Sequence, residues 1–292
     1  MQEYSLTDFP HLQCLEYSGG SIPISEWKLP SLSHVVVKHA SLDEHLPHAQ
    51  LTSVDLTLGF SIMSYRTTES FTHALHRMTS LRELKLTVEC HPEGYIRFDP
   101  TTNLEPRSVH IDVLHVTIKR LTDADDAQHI YSTLMHFSPK YVSLTLADLA
   151  DSCPLAFFAT REGNMFPYGS TIDIRVVQLL NPFEVWDYFP VLTSVIEDCN
   201  IAETVHVEIP AGVFVASEGE PDEWECYSSV RTLQFRGCRQ LSELNEFADH
   251  LISPEEGKGL LSLEVYSCHG ISGEFLEELK GTVGEKIRWT PR

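Results

Sequence analysis

The sequence predicts an α/β fold built as a solenoid, with parallel strands on an inner, concave face and helices on the convex face. Three observations predict it: a short apolar segment that recurs, a spacing of about 30 residues between its later copies, and helix-like stretches between those copies. One such unit cannot cover its own apolar stripe. Units of this kind therefore stack, so that each buries the apolar side of its neighbour.

The recurring segment is apolar at its first, fourth and sixth positions. Its end alternates between apolar and polar residues, as in 84–88, which is typical of a short strand with one buried face. Ten copies are present, at 12–17, 32–37, 51–56, 81–86, 111–116, 141–146, 171–176, 202–207, 230–235 and 260–265.

The spacing of the fourth position is nearly constant through most of the chain. It is about 30 residues at every step from Leu84 to Leu263, whereas Leu15, Val35 and Val54 lie only about 20 apart. The first two connections are therefore too short for a full helix. The pattern predicts one solenoid domain over 1–292, with short irregular repeats in 1–66 and repeats of about 30 residues in 67–292. The later fourth positions are Leu84, Leu114, Leu144, Ile174, Val205, Leu233 and Leu263.

Helices are expected between the later strands. The stretch 123–137 has apolar residues on one face and an acidic first turn. Asn181 followed by Pro182 is typical of a helix start. The expected helical stretches are 70–75, 123–137, 181–186, 243–252 and 274–279.

The last two copies carry the most specific motif. Val230-x-x-Leu233-x-Phe235-x-x-Cys238 and Leu260-x-x-Leu263-x-Val265-x-x-Cys268 resemble the cysteine-containing class of leucine-rich repeats. That resemblance implies two cysteines that point inward after their strands and serve packing.

The openings of the strands, such as 9–12, 29–32 and 78–81, make the chain similar to divergent fungal-type F-box/leucine-rich-repeat proteins. The resemblance covers the repeats alone. An F-box is an amino-terminal helical module, and here the first repeat starts by Phe9, so no F-box is visible. The resemblance implies a non-enzymatic protein-binding scaffold, as in the substrate-recognition part of an F-box-type ubiquitin ligase. A ubiquitin-ligase adaptor is a partner that this resemblance suggests, although the F-box is absent.

Composition excludes several other classes of protein. The net charge is −21, from 21 Lys and Arg against 42 Asp and Glu, which leaves too few cations for a nucleic-acid or anionic-membrane partner. No secretory signal or membrane span is recognisable. Seven scattered cysteines without a CxxC pair indicate reduced thiols, and hence an intracellular protein, cytoplasmic or nuclear.

Motifs for chemistry are absent from the sequence. There is no phosphate-binding Gly-rich loop and no Gly-x-Ser-x-Gly elbow. Four clustered histidines lack the paired spacing of a zinc site; they are His34, His39, His45 and His48. His110 and His115 are separated by an odd number of positions on one predicted strand, so we expect them on opposite faces.

We therefore expect no catalytic residue, cofactor or metal. The alternative is an α/β hydrolase or isomerase, which a pocket with two convergent titratable groups would favour. A structural or decaying paralogue without a partner is a third hypothesis.

The predicted binding surface consists of the strand residues that alternate with the core positions. Arg175, Arg236 and Tyr266 are the best anchors for a protein partner, because interfaces favour Arg and Tyr. The identity of that partner is not encoded in any motif. The predicted protein-binding residues of the concave face are Glu83, Lys85, His115, Asp173, Arg175, His206, Glu208, Gln234, Arg236, Glu264 and Tyr266.

Overall fold

The computed structural model of the chain describes most of its length. The described residues are 7–19, 24–40, 42, 44–59, 65–90, 107–121, 124–149, 154–179, 187–210, 212–214, 226–241 and 259–290.

Eleven strands form one parallel sheet, and their order across the sheet is their order along the chain. A separate pair of two-residue strands, Val213–Phe214 (β9) and Gln240–Leu241 (β11), forms a second small sheet. The strands of the large sheet are β1 Cys14–Ser18, β2 His34–Lys38, β3 Ser53–Gly59, β4 Glu83–Glu89, β5 Val109–Lys119, β6 Phe137–Leu149, β7 Thr171–Leu179, β8 Thr204–Glu208, β10 Thr232–Arg236, β12 Ser262–Tyr266 and β13 Ile287–Thr290.

Helices connect the later strands. They are α1 Tyr65–His76, α2 Ala124–Leu134, α3 Phe189–Asp198 and α4 Gly273–Val283. Single 3-10 turns lie at Ile24–Glu26, His48–Gln50, Pro154–Phe158 and Gly284–Lys286. None of the helices in the described part of the chain combines the length and apolarity that a membrane crossing requires.

The expectation of an α/β fold is thus confirmed. The expectation for the first two connections is confirmed as well: within their described residues, each holds a single 3-10 turn instead of a helix.

The same backbone turn precedes most of the strands. One carbonyl oxygen accepts hydrogen bonds from two successive N–H groups of the next strand: the Gln13 oxygen, for example, from Ser33 (3.0 Å) and His34 (2.9 Å). This arrangement satisfies both donors as the chain enters the ladder, and it sets where pairing begins. It recurs at the carbonyls of Ser33, Thr52, Arg82, Ser170, Glu203 and Arg231.

A second turn follows several strands. Gly19, His39, Gly237 and Ser267 have φ of 51–63°, in the left-handed region. Their N–H groups donate to a carbonyl of the next strand, as from Gly237 to Tyr266 at 2.8 Å. Because this conformation costs a residue with a Cβ about 1–2 kcal/mol, its repetition indicates a structural requirement at the strand end. The strands therefore share one way of starting and one way of ending.

The core lies on one side of the sheet. Leu84, Leu114 and Leu233 are at most 1 % exposed and belong to one continuous cluster of buried side chains. Ile130 of α2 and Leu192 of α3 join the same cluster, so the helices cover this side. The other side of the sheet carries the alternating, less buried positions.

The expected strand alignment is wrong at two of the ten segments. Leu114 pairs with Val142, which pairs with Ile172, so Leu144 and Ile174 lie two positions further along their strands than predicted. The cause is that Pro139 and Gly169 occupy the first, buried position of these segments, where the pattern expects a large apolar residue. A two-residue slip keeps the alternating residues of the strand on their predicted sides of the sheet, but it moves Tyr141, the first position of its segment, to the side opposite the core.

The corrected register gives unequal steps along the chain. The shortest step between paired positions runs from Val35 to Val54, and the longest from Ile172 to Val205. The last step reaches β13, a strand that the apolar pattern did not predict. The paired positions, in chain order, are Leu15, Val35, Val54, Leu84, Leu114, Val142, Ile172, Val205, Leu233, Leu263 and Ile287.

The predicted helices compare differently with the structure. Helices are found at 70–75, as part of α1, and at 274–279, as part of α4. The helix predicted over 123–137 ends at Leu134, and Phe137 instead begins β6. Asp125 and Asp126 do lie in the first turn of α2, as expected. The predicted helical stretches 181–186 and 243–252 lie outside the described residues.

Candidate functional site

The side of the sheet opposite the core is called here the open face. It carries three long rows of side chains that run across the strands in register, and a shorter fourth row that includes Glu89 and Lys119. The first row includes Glu83 and Tyr141, the second Lys85 and His206, and the third Thr117 and Arg236.

All eleven predicted binding residues lie on this open face. Glu83, Lys85 and His115 lie on β4 and β5, and β6 separates them from the others. The remaining eight lie on the four neighbouring strands β7, β8, β10 and β12. These eight are Asp173, Arg175, His206, Glu208, Gln234, Arg236, Glu264 and Tyr266.

Seven of these eight residues, together with Val207, line a depression of about 370 Å³ in the open face. Tyr266 stands beside it, paired with Arg236 across the two strands. The structure therefore brings most of the predicted residues to one place.

Asp173 is held in place from three directions. Its two carboxylate oxygens accept hydrogen bonds from Arg175, from Nε at 3.2 Å and from Nη2 at 2.9 Å, and Oδ2 accepts a third from the Tyr141 hydroxyl at 3.1 Å. The Asp173 side chain is only 7 % exposed. Burial and the Asp173 carboxylate raise the pKa of Tyr141, which keeps its hydroxyl protonated as a donor. A bidentate Arg–carboxylate pair of this kind is geometrically rigid.

Glu264 is the second fixed carboxylate. Oε1 accepts from Ser262 at 3.0 Å and lies 3.3 Å from Arg288 Nη1; Oε2 accepts from Gln234 at 2.9 Å and from Tyr266 at 3.1 Å. Four donors from three strands converge on this side chain, which is 14 % exposed. Glu264 thus ties β10, β12 and β13 together on the open face.

His206 lies between Asp173 and Gln234 in the second row. Burial lowers its pKa, and Arg236 and Arg175 lower it further, while Asp173 and Glu264 oppose this effect. The imidazole is therefore neutral at pH 7, with one donor and one acceptor nitrogen.

Arg236 differs from the other cations of the open face. Five of these have a carboxylate oxygen close by: Lys38–Glu16 at 2.6 Å, Lys85–Asp55 at 3.2 Å, Lys119–Glu89 at 3.2 Å, Arg175–Asp173 at 2.9 Å and Arg288–Glu264 at 3.3 Å. Arg236 is exposed and has no side-chain hydrogen bond or ion pair with any residue in the described ranges.

The charge of the open face departs strongly from that of the whole chain. Its three long rows hold six carboxylates (Glu16, Asp55, Glu83, Asp173, Glu208 and Glu264) and five cations (Lys38, Lys85, Arg175, Arg236 and Arg288). This is a net charge of −1, against −21 for the chain. The excess acidity therefore lies elsewhere on the molecule.

A row of four threonines crosses the middle of the open face. Thr57, Thr87, Thr117 and Thr145 are paired in register on β3, β4, β5 and β6. Their side chains are short and uncharged, so this part of the face allows a close approach of another surface. The threonine row joins the charged depression at Arg175, which pairs with Thr145.

Sequence reasoning missed two residues that support the depression. Tyr141 was placed at an apolar core position of its segment, but it lies on the open face and its ring contacts His115 at a centroid distance of 5.5 Å. The misplacement arises because Pro139 occupies the true first position of that segment and is not a large apolar residue, so the pattern was aligned two residues too late. Arg288 was missed because β13 was not predicted.

The histidines noted in the sequence lie apart. His34 lies on β2, His39 in the turn after it, and His48 in a 3-10 turn, where it is 2 % exposed. In the part of the chain that the structure describes, no three His, Cys, Asp or Glu side chains converge as metal ligands would.

The expectation that His110 and His115 lie on opposite faces of one strand is wrong. Neither side chain joins the core: Ile111 and Leu114 are both buried, so the inward and outward alternation of β5 is interrupted between them. His110 instead lines a second depression of about 520 Å³, together with Arg82 and Lys140. This depression lies near the amino-terminal ends of the central strands β4 to β7. This depression lies outside the predicted face.

The two cysteines of the repeat motif have equivalent surroundings. The Cys238 thiol donates to the carbonyl oxygen of Arg236 at 3.7 Å, and that of Cys268 to Tyr266 at 3.6 Å. Cys238 is fully buried, and Cys268 packs against the core from a half-buried position.

Comparison with known proteins gives no relative: no family model, no curated protein and no solved structure matches this chain.

Proposed function

We propose that this chain is a leucine-rich-repeat-type solenoid that binds another protein through the open face of its sheet and catalyses no reaction. The observation that carries the proposal is the concentration of eight polar side chains around one depression on four adjoining strands.

The repeat architecture is supported by the shared turns. The carbonyl that accepts two N–H groups recurs before seven strands, and the left-handed turn recurs after several of them. Strands that begin and end alike, and that pair with their successors in one parallel sheet, are the arrangement expected of stacked repeats. Concave binding surfaces formed by such strands are large and regular.

A protein partner fits the open face better than a nucleic acid. Nucleic-acid binding depends on cations that replace phosphate counterions, whereas five of the six cations here are already paired with carboxylates of the chain. Protein interfaces instead combine fixed polar groups with uncharged surface. The charged depression beside the threonine row is such a combination.

The role within a cell that we propose is substrate recognition for a ubiquitin ligase. Its basis is the resemblance of the Cys238 and Cys268 repeats to the repeats of F-box proteins. Recovery of adaptor and cullin subunits with the tagged protein tests this role, and their absence would leave the scaffold proposal without a ligase.

The experiment that tests the scaffold compares two variants of the whole chain. Thr117→Arg places a long cation in the centre of the open face, and Glu277→Arg places the same side chain on an exposed position of α4, on the opposite side. Tagged wild type and both variants are used to purify partners from the native cell. We expect a partner that wild type and Glu277→Arg retain and that Thr117→Arg loses.

That partner is then purified and its affinity measured by calorimetry with the three proteins. A loss of affinity for Thr117→Arg alone, with an unchanged melting temperature, supports the proposal. Equal binding by all three proteins would contradict it.

A second candidate function is hydrolysis or isomerisation in the depression. Asp173, His206 and Glu264 all line it, and Asp173 pairs with His206 across the strands. Two features make this candidate weaker: both carboxylates are saturated by donors, and the described residues that line the depression include no Ser, Thr or Cys nucleophile. Turnover of ester, amide or sugar substrates by the wild type, lost in His206→Ala, would establish it over the scaffold.

A further inference from the structure

We propose that Arg236 is the anchor of the open face and that the partner supplies a carboxylate, from an aspartate or glutamate side chain, to its guanidinium. This inference rests on the proposed function and names the chemistry of the group that the partner contributes.

The first argument is the state of the cations. Arg175 was an equally good anchor on sequence grounds, but two of its nitrogens are hydrogen-bonded to Asp173. A partner's carboxylate would have to compete with that bidentate pair. Arg236 has no such bond with the described residues and is exposed at the depression. An unpaired guanidinium presents its fork of donors to an incoming carboxylate without breaking an internal contact.

The second argument is the state of the other predicted anchor. The hydroxyl of Tyr266 donates to Glu264 at 3.1 Å, so its donor is already in use. Gln234 likewise donates its amide to Glu264 at 2.9 Å. Gln234 and Tyr266 are therefore both held by Glu264, and of these three side chains Arg236 is the one whose donors have no bond with the described residues.

The third argument concerns the kind of anion. Glu208 pairs with Arg236 in register and lies 3.9 Å from Arg175 Nε, and Asp173 and Glu264 line the same depression. A phosphate, with its charge of about −1.5 to −2, meets more repulsion from these three carboxylates than a singly charged carboxylate does. The surroundings therefore favour a carboxylate over a phosphate.

The experiment uses the full chain and defined synthetic peptides. An array of random linear peptides, together with a set that carries phosphoserine, is incubated with the labelled wild-type protein. Selected peptides are then measured by fluorescence anisotropy with wild type and with Arg236→Gln. Arg239→Gln is the matched control, because Arg239 is an exposed arginine close in sequence that does not line the depression.

The expected result is selection of peptides that share an aspartate or glutamate. Changing that residue to its amide should weaken binding by about 10–100-fold, the range for a hydrogen bond to a charged group. Arg236→Gln should weaken binding to the same extent, with no further loss when both changes are combined. Arg239→Gln should bind as wild type does.

Three results would overturn the inference. Peptides that lose binding to Thr117→Arg but bind equally as acid and amide would overturn the carboxylate anchor and leave the open-face proposal standing. A preference for phosphoserine would replace the carboxylate with a phosphate. Absence of any peptide whose binding depends on Arg236 or Thr117 would count against both proposals.

Discussion

The backbone N–H of Gly169 donates a hydrogen bond to the Sγ of Cys199 at 3.4 Å, and the Cys199 thiol approaches the Gly169 carbonyl oxygen at 3.3 Å. Cys199 ends α3 and is 1 % exposed. The thiol therefore provides hydrogen-bond partners for the buried backbone groups of Gly169. This glycine lies at the first position of its segment, where most other segments have an apolar side chain. Gly169 is needed there because the space for a side chain is already taken.

Replacement of Gly169 by alanine should destabilise the protein. A Cβ at this position would lie 2.9 Å from the carbonyl oxygen of Pro139 and 3.2 Å from Cγ1 of Val142. Relief of such contacts in a packed core costs about 1–3 kcal/mol. Urea denaturation of Gly169→Ala should show that loss. Gly281→Ala is the matched control, because nothing lies within 4 Å of its Cβ position in α4. Alanine there should increase the free energy of unfolding, by at most about 1 kcal/mol.

The stability of the protein should fall as the pH is lowered from about 6.5 towards 4. His76 and His136 meet edge to face with their ring centroids 4.3 Å apart, and burial lowers the pKa of each to about 4. Between these values the unfolded chain, with histidine pKa near 6.5, binds more protons than the folded one. Falling pH therefore favours unfolding, by on the order of 1–3 kcal/mol for the pair.

Denaturation measured at pH 7 and at pH 5 tests this dependence. His76→Gln removes one member of the pair and should flatten the pH dependence, whereas a substitution at the exposed His11 should not. An unchanged slope in His76→Gln would show that other groups cause the acid sensitivity.

Two carboxylate–cation contacts of the open face should contribute differently to the stability of the protein. Glu264 receives four donors and is 14 % exposed, so Glu264→Ala leaves several polar groups without a partner and should cost about 1–3 kcal/mol. The Lys85–Asp55 pair has side chains 53 % and 35 % exposed, and Lys85→Ala should cost less than about 1 kcal/mol. Thermal unfolding of both variants compares them, and equal losses would contradict the role of Glu264.

The cysteines should react with a thiol reagent in a defined order. Cys14 is exposed, whereas Cys90, Cys199 and Cys238 are at most 2 % exposed. Burial raises the pKa of Cys90 and Cys199, and the Cys268 thiol together with burial raises that of Cys238, so the reactive thiolate is scarce at all three. Labelling of the native protein with iodoacetamide, followed by mass spectrometry, should modify Cys14 before Cys90, Cys199 and Cys238. Early modification of Cys238 would show that the β10 turn opens.

The fold class and the side of the sheet on which the eleven predicted binding residues lie were predictable, because strand alternation depends on local order alone. The alignment of β6 and β7 was not. Pro139 and Gly169 occupy buried positions without being large and apolar. The apolar pattern therefore aligns Leu144 and Ile174 with Leu114, although Val142 and Ile172 hold the paired positions. The pairing of Leu114 with Val142 depends on backbone contacts between strands, and the pattern of apolar residues does not report such contacts.

The candidate site was predictable in its membership but not in its internal bonds. Alternation placed Arg175, Arg236 and Tyr266 on one face as equivalent candidates. Their difference arises from Asp173 and Glu264, which bind two of them and leave Arg236 exposed. Side-chain pairing of this kind depends on distances of a few tenths of an ångström, which spacing in a sequence does not contain.

The unequal steps between paired strands, short from Val35 to Val54 and long from Ile172 to Val205, show where the chain tolerates change. Length varies in the connections while the ladder keeps its alignment. Residues added to or removed from a connection would therefore leave the surface pattern of the sheet as it is, whereas a single insertion inside a strand would exchange its inward and outward side chains. Diversification of this protein is accordingly easiest at its loops, and it leaves the open face of the sheet unaltered.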